Sequence, residues 1–174
     1  MRITTVLMLL LCGGIGSAGE EVVPKPQVLI LTTGGTIASR TDAPLIDGPE
    51  LVQAVPQVLD YAEVQVEEFS VIGSSKMTPD HWLRLSKRIN ERYSSDEQLS
   101  GIVITHGTDT MEETAYFLNL TVQSDRPVVL VGSMRSSNEV SADGPLNLIN
   151  AVRVATSNQA IGQGVLVVLN EDII

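Results

Sequence analysis

Four short runs of glycine and hydroxyl residues are where this chain could do chemistry: TTGGT at 32–36, GSS at 73–75, THGTDT at 105–110 and GSMRSS at 132–137. No lysine follows the glycines, so none is a phosphate-cradling loop, and no G-x-S-x-G turn offers a serine nucleophile. GIGSAG at 14–19 fits the dinucleotide pattern but has no strand–helix unit around it. With two histidines and one cysteine, the soft ligands are too few for a metal cluster. His81, beside Trp82 at a helix start, reads as a surface residue. His106 follows a buried strand and reads either as a base or, the favoured alternative, as a fixed structural histidine. What remains is a threonine nucleophile. An alcohol must lose its proton to attack, and Gly34 and Gly35 would admit substrate to Thr36 and leave backbone N–H groups free as oxyanion donors.

The runs gain weight from the elements that position them. Val28–Leu31, Ile102–Ile104, Val128–Val131 and Val165–Leu169 are short apolar runs rich in β-branched residues, as in strands covered on both faces. Val64–Ile72 alternates (Val64, Val66, then Phe69, Val71) and reads as a half-covered strand. Between these runs the period changes to that of helices. Pro79 opens one helix. Met111, Ala115, Leu118 and Val122 mark the buried face of a second, with Thr110 and Glu113 spaced as a capping box. Pro145 opens a third, with Leu148, Ile149, Val152 and Ala155 inward and Asn147, Asn150 and Ser157 outward. Strands alternating with helices imply an α/β fold with a largely parallel sheet. In such a sheet the carboxyl ends of the strands share one edge, and ligands bind there. The four polar runs would all meet at that edge.

Composition narrows the partners. Eleven basic against 21 acidic residues give a net charge of −10, which argues against nucleic acid and anionic membrane as partners. At 174 residues there is room for one α/β domain, spanning 27–174, with no repeat or linker dividing it. Before it, MRITTVLMLLLCGGIGSAGEE has an early arginine, a short apolar run and small residues at 16–18, the pattern of a secretory leader cleaved near residue 19. The run is too short to span a membrane. LLLC fits a lipoprotein site poorly, because Leu11 is bulky. The expected location is periplasmic or secreted, and cleavage would remove Cys12 and with it any disulfide or thiolate chemistry.

LTTGGTIAS and IVITHGTDTMEETAYFL resemble the two signature segments of the bacterial L-asparaginase family, and PVVLVGSMRSSNEVSADGPLNLINAV resembles the segment that follows them. The leader favours the periplasmic type II branch. The resemblance, from Val28 to the last residue, implies hydrolysis of the side-chain amide of L-asparagine to L-aspartate and ammonia, through an acyl–threonine intermediate and without a cofactor. Some members also accept L-glutamine. Position by position it implies Thr36 as primary nucleophile, Thr108 as second catalytic threonine and Asp109 as the carboxylate holding the substrate's α-ammonium. Ser74 matches the residue that binds the α-carboxylate. Ser75 stands where many type II enzymes have glutamine, and Ser133 lines the pocket near the leaving amide.

Two departures qualify the resemblance. The family's lid tyrosine has no counterpart in SRTDAPLIDGPE at 39–50. Family members also run well beyond VLNEDII, into a catalytic lysine and a smaller C-terminal domain that completes a neighbour's site in a homotetramer. The expectation is a truncated N-terminal domain, inactive alone. The alternatives are a broader glutaminase-asparaginase and a non-catalytic α/β module that binds a small molecule.

Overall fold

The computed structural model describes residues 24–35, 37 and 48–174. The proposed leader, Thr36 and most of the lid segment lie outside the described residues.

Strand β1 (Gln27–Gly34) is flanked by β2 (Glu63–Ile72) and β3 (Leu99–Thr105), followed outward by β4 (Val128–Val131), β5 (Val165–Leu169) and β6 (Asp172–Ile173). The first five are mutually parallel, and β6 pairs antiparallel to β5. Helices α1 (Gly48–Ala54), α2 (Pro79–Ser95), α3 (Met111–Thr121) and α4 (Gly144–Ala155) fill the crossovers. The expected α/β fold with a largely parallel sheet is observed.

Strand alternation splits the core in two. Val28, Ile30, Val103, Val129 and Val131 pack with Leu51 of α1 and Leu148, Ala151 and Val152 of α4. Leu29, Leu31, Ile102, Ile104 and Leu130 face the other way, onto Leu85 and Ile89 of α2 and Met111 and Leu118 of α3. Helices on both faces bury the central strands completely, which explains runs such as VLIL and VVLV. The order 2-1-3-4-5 reverses direction between β1 and β3, and this reversal opens a crevice at the strands' carboxyl ends.

Some local expectations fail, each for a tertiary reason. Val71 is exposed rather than covered. It lies near the end of β2, the edge strand of the sheet, where the register against β1 shifts between Thr32↔Glu68 and Gly34↔Ile72. Asn147 is buried on α4 rather than outward, because the loops around it need its amide. Thr110 makes no side-chain cap for α3; its hydroxyl donates instead to the Ser74 carbonyl at 2.9 Å. The tail of the chain turns back through Asn170 and Glu171, both at positive φ, to form β6. That is the two-residue hairpin geometry.

Candidate active site

The loops after β1, β2 and β3 meet at a single junction. Gly35 has φ +87°, and a Cβ on it would come 2.4 Å from the Gly107 nitrogen and 2.6 Å from the His106 carbonyl carbon. Gly107 in turn would put a Cβ 2.4 Å from the Ser74 Oγ. At position 35 only glycine allows the backbones of the first and third loops this close. Ile37, buried in the core beneath α4, anchors the first loop on the far side of position 36.

Hydrogen bonds brace the junction. The Ser74 Oγ accepts the Asp109 N–H at 3.1 Å while the Ser74 carbonyl takes the Thr110 hydroxyl at 2.9 Å, so loop 73–76 holds the Thr108–Thr110 turn at its middle and its end. On the β1 side, Thr33 Oγ1 donates to the Thr105 carbonyl at 2.7 Å. Thr108 is half-buried and Asp109 exposed, with their backbone held and their side-chain ends left over. Among the described residues, no hydrogen bond engages the Thr108 hydroxyl or the Asp109 carboxylate.

The loop after β4 reaches the same place. A Cβ on Gly132 would meet the His106 carbonyl oxygen at 2.9 Å and Thr108 Cγ2 at 3.5 Å. Ser133 follows it, fully buried, with its hydroxyl donated to the Arg135 carbonyl at 3.0 Å. The structure thus brings Ser74, Thr108 and Asp109 together, sets Ser133 on the adjoining loop and leaves Ser75 exposed beside Ser74. His81 is half-buried and accepts the Thr78 N–H through Nδ1 at 3.3 Å, a helix-capping role. His106 has no exposed surface, and both ring nitrogens are engaged, which favours the structural alternative over a base. Burial lowers its pKa from the usual histidine value, against the opposing pull of the Gly107 carbonyl and Glu113.

Asp143, absent from the sequence expectations, and Asn147, expected to face outward, are supporting residues. Asp143 accepts the N–H groups of Met134 and Arg135, both at 2.9 Å. Asn147 donates to the Gly132 carbonyl at 3.0 Å and to Asp143 at 3.1 Å, and accepts the Asn170 N–H at 3.1 Å. Partial burial pushes the Asp143 pKa up, but the donors of Met134, Arg135, its own backbone and Asn147 outweigh it, so the net shift is downward. For Asp143 a signal was available in SADGPLN, where an acid precedes Gly-Pro at a helix start.

What this edge can do follows from its donors. Small hydroxyls, one exposed carboxylate and closely packed glycine backbone suit a small zwitterionic molecule better than a large apolar one. Among the described residues no group of acids, histidines or cysteines could hold a metal ion.

Comparisons with known proteins agree with the motifs. The family model described as "Asparaginase, N-terminal" matches residues 27–174. "L-asparaginase 2" of Bacillus subtilis is 52% identical over 166 residues, covering 90% of this chain and 44% of that protein. "Probable L-asparaginase periplasmic" of Haemophilus influenzae is 46% identical over 178 residues, covering 98% and 50%. Other relatives are named glutaminase-asparaginase. Among solved structures, a probable cytoplasmic L-asparaginase from Campylobacter jejuni superposes with a TM-score of 0.82 at 50% identity, covering 86% of this chain and 48% of that one. The chain spans about half the length of the curated relatives it matches. On its signatures, its strand order and these matches together, the chain belongs to the asparaginase family, whose N-terminal domain it comprises.

Proposed function

We propose that this chain carries the nucleophile and substrate-gripping half of an L-asparagine amidohydrolase. The Thr36 hydroxyl oxygen adds to the side-chain amide carbon of L-asparagine and its proton passes to the amide nitrogen. The C–N bond then breaks, ammonia leaves and an ester to Thr36 remains. Water cleaves that ester, releasing L-aspartate and returning a proton to the threonine oxygen. Thr108 assists the proton transfers, and Asp109 pairs with the substrate's α-ammonium. Ser74 and Ser75 face the α-carboxylate, and Ser133 and its loop border the leaving amide. No cofactor takes part.

The observation that supports this most strongly is the junction of Gly35, Gly107 and Ser74 at the sheet's reversal point, which brings the loops of both signature segments together with the loop after β2 at a ligand-binding edge. The names of the glutaminase-asparaginase relatives support a second reading, in which L-glutamine is accepted as well. A relative named periplasmic supports residues 1–19 as an export leader, and the homotetramer is what the resemblance to the family implies. The test is ammonia release from each amide by protein carrying this sequence, compared with its Thr36→Ala variant. Release that depends on Thr36 supports the reading. Release that survives the substitution points to another nucleophile, and capture of L-aspartate with no turnover favours the binding-module alternative.

A further inference from the structure

We propose that His106 is a positioning residue for the Thr108–Asp109 loop, locked as its Nδ1–H tautomer between the Gly107 carbonyl and the Thr114 hydroxyl. The geometry allows one economical arrangement. Nδ1 lies 2.7 Å from the Gly107 oxygen. A carbonyl only accepts, so Nδ1 carries the proton. In the neutral ring Nε2 is then a bare lone pair, 3.0 Å from the Thr114 Oγ1, and the ring is fully buried. A buried acceptor needs a donor. The Thr114 hydroxyl can supply one, since it accepts the Trp82 Nε1–H at 2.8 Å on a lone pair and keeps its own proton to donate. Thr114 also lies 2.9 Å from the Thr110 carbonyl, but it has one proton, and sending it there would leave Nε2 unsatisfied. The bonds therefore run in one direction, from Trp82 of α2 through Thr114 of α3 and His106 to Gly107.

The end of that chain is what bears on the site. The Gly107 carbonyl and the Thr108 N–H belong to one planar peptide, so holding the first sets the direction of the second. Ser74 holds the same loop from the β2 side through the Asp109 N–H. The turn is thus clamped from two directions, and the clamp uses backbone groups rather than the Thr108 and Asp109 side chains. A free histidine base would need an exposed nitrogen, and His106 has none to offer. This role rests on the reading of Thr108 and Asp109 as site residues, but the tautomer itself does not.

The test is nitrogen-15 NMR of the labelled chain. Only His81 and His106 contribute imidazole signals, and a His81→Gln variant assigns them. At neutral pH the expected His106 signature is a protonated Nδ1 and a bare Nε2; an Nε2–H tautomer would overturn the proposal. Two variants test the clamp. Asparagine in His106→Asn keeps an N–H near the Nδ1 position, whereas the longer amide in His106→Gln reaches only toward Nε2. The Asp109 amide should exchange within about twofold of the wild-type rate in the asparagine variant and about tenfold faster in the glutamine variant, the size of one lost hydrogen bond. The Ile104 amide of β3 reports global opening and should not move in proportion. Equal effects of asparagine and glutamine, or none from either, contradict the clamp. If His106→Gln fails to fold, the wild-type tautomer and the asparagine variant still decide. Titration with L-aspartate judges the other reading separately. Shifts at Thr108 and Asp109 support the amidohydrolase site, and their absence beside a confirmed Nδ1–H tautomer would count against that site and leave the clamp as a feature of the fold.

Discussion

Gly35 and Gly107 lie backbone to backbone, so close that one added methyl on Gly35 would fall 2.4 Å from the Gly107 nitrogen. Gly35→Ala therefore meets a backbone clash and an unfavourable φ together. The expected loss of stability is about 2 kcal/mol or more, by denaturant titration. The variant should also lose affinity for L-aspartate, because the loops after β1 and β3 must separate. A neutral effect would mean the junction is looser than described.

Asp109 offers the exposed carboxylate of the site. Asp109→Asn keeps the backbone N–H that Ser74 accepts, so the fold should be unchanged within about 0.5 kcal/mol. Affinity for L-aspartate should fall by tenfold or more, as expected for the loss of a charge-assisted bond of about 1.5–3 kcal/mol. Calorimetry reads both, and unaltered binding would remove Asp109 from the substrate grip.

Asp143 makes a prediction in pH. Its folded-state pKa lies below the unfolded value, so its stabilising contribution is fully present above the ordinary aspartate pKa of about 4 and is lost as pH falls through the lower folded value. The stability gap between wild type and Asp143→Asn should be widest near neutrality and close progressively below about pH 4. A gap constant across that window would show that the loop donors at Met134 and Arg135 do not favour the charged form.

Arg126 ties α2 to the start of β3. Its Nη1 donates to the carbonyls of Asp96 and Leu99 at 2.8 Å each, Nη2 donates to the Tyr93 carbonyl, and the guanidinium lies 4.2 Å over the Tyr93 ring. Lysine keeps the charge but cannot reproduce that fork. Arg126→Lys should cost about 1–3 kcal/mol of stability with no change in L-aspartate affinity. Calorimetric melting and binding on the same sample check both halves.

The frame of the fold was legible because both-face burial writes itself into runs such as VLIL, IVI and VVLV, and because each polar run falls directly after a strand. The resemblance named Ser74, Thr108 and Asp109, and the structure places them around one junction. The braces were harder to see. Asn147 sits at a polar position of a helix whose apolar stripe is Leu148, Val152 and Ala155, and only the tertiary need of the Gly132 carbonyl pulls it inward. Thr110 has the spacing of a cap, yet the Ser74 carbonyl, 36 residues away in sequence, competes for its hydroxyl. Val71 is exposed near the end of the sheet's edge strand, a position in the sheet that no local pattern records. Such contacts depend on residues brought together by the sheet, and periodicity sees only neighbours.

The most direct measurement is intact-mass and peptide-level mass spectrometry of protein carrying this sequence, acid-quenched during reaction with L-asparagine. An aspartyl ester is expected on the peptide containing Thr36, absent from the Thr36→Ala variant, with ammonia release lost in parallel. An ester mapped to Thr108 or to any other residue, or ammonia release undiminished in Thr36→Ala, would contradict it.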